Sequence, residues 1–165
     1  MKTEFKAGDP VVYPMHGVGK IDKVEEKDIL GKKQLYYILK LSVSDMTAMI
    51  PVEKSESLGL RPCANKKMIE DALNILQENP ENIDEDWKSR YNINHNLIKK
   101  GSLLELSQVV RNLYHRNRVK ELSNTEKKLF EYALQLMIDE ISASKGQEKL
   151  DVEDLITRQL EQSAV

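Results

Sequence analysis

Apolar positions in the first 51 residues come in short runs separated by turn residues. Val11, Val12 and Tyr13 form a β-favouring run closed by Pro14. HGVGK supplies two glycines for a bend, and Ile21 and Val24 follow before the charged run EEKD. ILGKK predicts a glycine turn ahead of QLYYILKLSV, the strongest strand candidate in the chain, rich in Tyr, Ile, Leu and Val. Ser44 and Asp45 mark a turn, and MTAMIP gives a last short strand ending at Pro51. Several short strands with turn signals between them predict a small twisted barrel of the SH3 or Tudor kind.

Further on the period becomes helical. KKMIEDALNILQ places Met68, Ile69, Ala72, Leu73 and Leu76 on one face, and Pro80 closes it. Asn82 with Glu85, Ser102 with Glu105, and Ser123 with Glu126 stand at capping-box spacing, so each pair predicts a helix start. The apolar series from Ile93, from Leu103 and from Leu129 follow those starts. Gly146 breaks the last, and LDVEDLITRQLEQ restarts a short final helix. Gly59, Pro62 and Asn65 punctuate a composition shift. The expected architecture is α+β with two domains: a barrel over residues 1–60 and an all-α bundle over residues 61–165.

Composition narrows the function classes. The chain is 40% hydrophobic and 32% charged, which suits a soluble globular protein and argues against wholesale disorder. No apolar run approaches the roughly 20 residues of a membrane span. The start MKTEFKAGD has no apolar signal region, and Cys63 is the one cysteine, so a reducing cytoplasm is expected. The net charge of −2 is unevenly spread: residues 86–128 hold ten Lys or Arg against four Asp or Glu, a local net of +6. A basic middle with acidic flanks suits a polyanion-facing surface, and equally suits solvated helix faces.

Candidate chemistry is sparse. HGVGK looks like the end of a phosphate loop, but Ile21 follows Lys20 where a hydroxyl is needed, so a structural bend is favoured. His16, His95, His115 and Cys63 have no metal-ligand spacing, and no acid pair or nucleophile has a catalytic context. Neither a metal, a cofactor nor an enzymatic activity is expected. VVRNLYHRNRVK carries Arg111, Arg116, Arg118 and Lys120, either as a phosphate-contacting face or as cations favoured at a helix C-terminus. Trp87, the only tryptophan, stands in DEDWKSRY, where local physics alone favours a packed anchor beside Tyr91. The other reading is an exposed wedge flanked by cations.

FKAGDPVVYPMHGVGKI, MTAMIPVEK, DWKSRY, GSLLELSQVVRNLYHR and LSNTEKKLFEYALQLMIDEIS together resemble the CarD/CdnL family of bacterial transcription regulators, from about Phe5 to Ser144. The resemblance implies a Tudor-like module that binds the RNA polymerase β subunit and a helical domain that contacts promoter DNA. It implies that the protein stabilises the open promoter complex, with Trp87 as a wedge at the upstream edge of the melted DNA. Arg90 matches one of two arginines that usually follow that tryptophan, and Lys88 compensates for Ser89 at the other. Lys127 matches a DNA-contacting lysine, with Lys128 beside it. Lys27, Met49 and Pro51 match polymerase-binding positions, Met49 standing where some relatives have arginine. The segment from Asp45 to Pro51 is the candidate edge for pairing with a polymerase strand. A monomer with no membrane contact is expected. The rivals are a DNA-binding protein acting without polymerase and a stand-alone Tudor-like reader needing an aromatic cage from Tyr13, Tyr36 and Tyr37.

Overall fold

The computed structural model describes residues 3–42 and 44–163; Val43, the last residue of the QLYYILKLSV strand candidate, lies outside them. The chain divides into two compact units between Cys63 and Ala64. The division falls later than residue 60 because Arg61–Pro62 still pairs within the sheet.

The first unit is a five-stranded antiparallel sheet. Its strands are β1 (Pro10–Tyr13), β2 (Gly17–Ile29), β3 (Lys32–Leu41), β4 (Thr47–Pro51) and β5 (Arg61–Pro62), in the order β4-β3-β2-β1-β5. The charged run EEKD does not end β2. It is carried on a long hairpin against β3, with Lys23 and Lys27 placed 3.3 and 3.9 Å from the Glu25 carboxylate. Leu30 and Gly31 make its two-residue turn with φ of 54° and 80°, the double positive φ that such a hairpin requires. An irregularity between Ile21 and Lys23 inserts Asp22, which lets both Ile21 and Val24 face the core. That core gathers Phe5, Val11, Ile21, Tyr37, Leu39, Ile50, Val52 and Leu60.

The barrel expected from the strand pattern is not formed. Among the described residues β4 and β5 are the two ends of an open sheet and do not pair with each other. Both strands stop at a proline, Pro51 and Pro62, which has no amide to extend a ladder. HGVGK is not the bend expected of it: Gly17 to Lys20 open β2 in register with β1, and the turn falls at residues 14–16. A Cβ on Gly19 would stand 2.9 Å from the Lys40 carbonyl oxygen, so only glycine lets β3 approach β2 there.

The second unit holds α1 (Lys66–Ile75), α2 (Trp87–Lys100), α3 (Leu103–Val119), α4 (Asn124–Lys145) and α5 (Lys149–Glu161). Asn65 caps α1 by accepting from the Met68 amide. Ser102 and Glu105 complete the predicted capping box of α3. The box predicted at Asn82 and Glu85 does not form. Asn82 takes a left-handed φ of 60°, and Asp86 caps the helix four residues later. At α4, Ser123 accepts from the Glu126 amide at 3.3 Å, but the Glu126 carboxylate turns elsewhere. Gly146 ends α4 in the left-handed region, and its amide donates to the Ser142 carbonyl. Leu103, Val109, Val110, Ala133, Met137, Ile141, Val152 and Ile156 are fully buried between the helices. The spacing of Val152, Ile156 and Leu160 turns one stripe of α5 into this core.

Candidate nucleic-acid interface and sheet edge

Trp87 is the first residue of α2. Its position is set by Asp86, whose carboxylate accepts from the Ser89 amide at 2.9 Å and from the Ser89 hydroxyl at 3.1 Å. Those two hydrogen bonds, the amide's first, hold the Asp86 carboxyl below its ordinary value of 3.8. A first-turn side chain points away from the body of its helix, and Trp87 is 51% exposed. The packed reading favoured by local physics is therefore not what the fold does. Lys88 lies over the indole with its ammonium 5.8 Å from the ring centroid, within cation–π range. An open cleft of about 740 Å³ lies beside Trp87, with Arg90 and Glu126 among its lining residues.

Arg90, expected as a phosphate contact, is buried in the free protein. Its side chain is 9% exposed and forms a bidentate pair with Glu126, which is 1% exposed. Nε donates to one carboxylate oxygen at 3.1 Å and Nη2 to the other at 2.8 Å, while Nη1 donates to the Glu85 carbonyl. The reason is helical phase. Arg90, Asn94 and Ile98 are the buried residues of α2 at a spacing of four. Glu126 likewise precedes Leu129 and Ala133 on the buried stripe of α4. The sequence signal was present in that spacing, but the partner lies on another helix. Ser89, where the resemblance implies an arginine, is part of the cap.

The basic span shrinks on folding. Arg111 is 2% exposed and is placed 3.3 Å from Glu78 and 3.8 Å from Glu81. Burial lowers its pKa, opposed by those two glutamates. Arg116 donates to the Ile83 carbonyl at 3.1 Å, and the Asn112 side chain accepts from the Glu81 amide at 2.9 Å. These α3 residues anchor the loop between α1 and α2, a role not visible in the sequence. Lys88, Arg118, Lys120 and Lys128 remain exposed. Lys127 is half-buried and paired with Glu121 at 2.5 Å, and that pairing depresses the Glu121 carboxyl.

In the sheet, β4 is an edge strand: it pairs with β3 on one side and with no other strand among the described residues. Met49 stands opposite Ile38, Pro51 opposite Tyr36, and Lys27 opposite Gln34. Positions 34, 36 and 38 alternate onto one face, so Lys27, Met49 and Pro51 share it. Ile50 takes the other face and enters the core, while Met49 stays 42% exposed. Tyr36 and Tyr37 are both buried, and Tyr37 accepts from the Glu4 and Phe5 amides.

The histidines do not cluster. His16 stacks on Tyr13, His95 on Tyr91, and His115 meets Tyr114 edge-on. Burial, then Arg118 and Arg111, hold His115 below its ordinary 6.5. Among the described residues no group of three His, Cys, Asp or Glu is placed to hold a metal, and no helix is long and apolar enough to cross a membrane.

One unit thus has an open sheet edge, and the other an exposed aromatic beside a cation. Family models agree with that division. Residues 5–64 match the CarD-like/TRCF RID domain, and residues 71–157 match the CarD C-terminal domain. The putative transcription factor YdeB of Bacillus subtilis is 39% identical over 142 residues, spanning 86% of this chain and 93% of its own. The solved structure of CdnLNt from Myxococcus xanthus is 42% identical and covers 38% of this chain and 87% of its own, with a TM-score of 0.31. The chain belongs to the CarD/CdnL family of transcription regulators.

Proposed function

We propose that the protein binds the RNA polymerase β subunit through the sheet edge at β4 and stabilises the open promoter complex through Trp87. The observation that carries this reading is the exposed indole at the first position of a capped helix, with Lys88 against it. An aromatic wedge that partly unstacks a base step acts most easily where the duplex is already opening. Phosphate contacts from Lys88, Lys127 and Lys128 orient the unit without reading sequence. A ligand shifts an equilibrium only by its differential affinity, so the wedge favours melted over closed DNA. About 1.4 kcal/mol of that preference shifts the open fraction tenfold. No catalytic group takes part.

In the sheet, main-chain pairing along β4 supplies affinity, and Lys27, Met49 and Pro51 supply specificity on one face. The lysine-reader alternative loses support because Tyr36 and Tyr37 are buried and turned to opposite faces. A DNA-binding protein acting alone would hold free duplex with a steep salt dependence. The test is a competitor challenge of open complexes with purified polymerase. The protein is expected to lengthen their lifetime while binding free duplex weakly; tight duplex binding with no effect on lifetime would overturn the reading. A companion variant, Met49→Glu, places a charge on the edge and is expected to weaken binding to the isolated β-subunit fragment at least about tenfold. Unchanged affinity would remove β4 from the interface.

A further inference from the structure

We infer that Arg90 and Glu126 form a positioning pair that sets Trp87 and Lys127 relative to each other, and that neither contacts DNA. This rests on the proposed role of Trp87 and assigns the residues that orient it. Arg90 is one turn beyond Trp87 on α2, and Glu126 directly precedes Lys127 on α4. Their bidentate bond therefore ties the first turns of the two helices that carry the wedge and the phosphate contact. The geometry of a fork on a carboxylate fixes both distance and orientation, which a point charge does not.

Two further features point the same way. Glu126 occupies the third position of α4, where the Ser123 cap would ordinarily have its carboxylate in return. It supplies its amide to Ser123 and its carboxylate to Arg90 instead. The backbone leading into Trp87 is also held at alternate residues. Asn112 takes the Glu81 amide, Arg116 takes the Ile83 carbonyl, and Arg90 takes the Glu85 carbonyl. A wedge on a mobile loop would lose its affinity to ordering, whereas a fixed one is preorganised.

The experiment compares Arg90→Gln, Glu126→Gln and the double variant in the full chain, with Trp87→Ala as reference. Circular dichroism first establishes that each is folded at the working temperature. Should Glu126→Gln fail to fold, Glu126→Asp shortens the reach while keeping the charge. The first readout is the fluorescence anisotropy decay of Trp87, the sole tryptophan, in the free protein. The second is open-complex lifetime against salt. Each single substitution is expected to increase indole mobility and to shorten the lifetime about tenfold. The double variant should be no worse than either single, with the wild-type salt slope retained. If Arg90 instead contacts phosphate, Arg90→Gln alone shortens the lifetime and lowers the slope by about one, and Glu126→Gln leaves it unchanged or lengthens it. That outcome, or unchanged indole mobility in folded variants, would overturn the inference. If Trp87→Ala matches wild type in lifetime while the pair variants still free the indole, the proposed function fails and the positioning role stands.

Discussion

At the scale of single residues, exposure decides more than residue type. Trp87 and Arg90 are three positions apart on one helix, yet one is half-exposed and the other buried. The difference is position along the axis: both lie on the side of Asn94 and Ile98, but Trp87 is the first residue of the helix, with no preceding turn beside it. The spacing hinted at the burial of Arg90, but its partner was not legible locally, because the group that claims it is 36 residues away. Lys127 shows the same effect at the surface. Its pairing with Glu121 opposes any use of its charge on phosphate. Replacing Glu121 with Gln releases that lysine and removes a like charge to DNA. The expected outcome is a modest lengthening of open-complex lifetime that fades as salt screens the contact. A shorter lifetime at low salt would contradict the assignment of Lys127.

At the scale of elements, the starts of α3 and α4 were readable because Ser102 and Ser123 cap where their spacing predicts. The start of α2 was not, since Asp86 with Ser89 makes a cap that outcompetes Asn82 with Glu85. That cap predicts a pH dependence. The Asp86 carboxyl is depressed in the folded state by hydrogen bonds from Ser89, so its contribution is full above the ordinary value of 3.8. It is lost as pH falls through the lower, folded value. The fluorescence of Trp87 should therefore report fraying of the α2 start in acid. Asp86→Asn retains a capping side chain and should abolish that transition. Persistence of the same transition in Asp86→Asn would assign it to other groups. In the sheet, β1, β3, β4 and the turn ahead of β3 were legible, but the full length of β2, the short β5 and the lack of closure were not. Which strands end unpaired depends on partners far apart in sequence, and here two prolines leave an edge open.

At the scale of the whole molecule, the local charge of +6 over residues 86–128 overstates the exposed cationic surface, because Arg90 and Arg111 are buried against acids. What remains suits a protein that recognises DNA already held by a partner better than one that captures free duplex. The two units have separate cores, so damage to one should leave the other's binding intact. Met137 is fully buried between the helices, and Met137→Ala should destabilise the helical unit by about 2–5 kcal/mol. Thermal unfolding followed by circular dichroism checks the loss, and affinity for the β-subunit fragment should be unchanged. The most direct test of the central claim is the lifetime of competitor-challenged open complexes with Trp87→Ala, at concentrations that saturate polymerase. The indole is half-exposed, so the variant should fold with a stability loss of about 1 kcal/mol or less. Polymerase binding should equal wild type while most of the lifetime extension is lost; a folded, fully bound variant that extends the lifetime as wild type does would show that the indole is not the stabilising group.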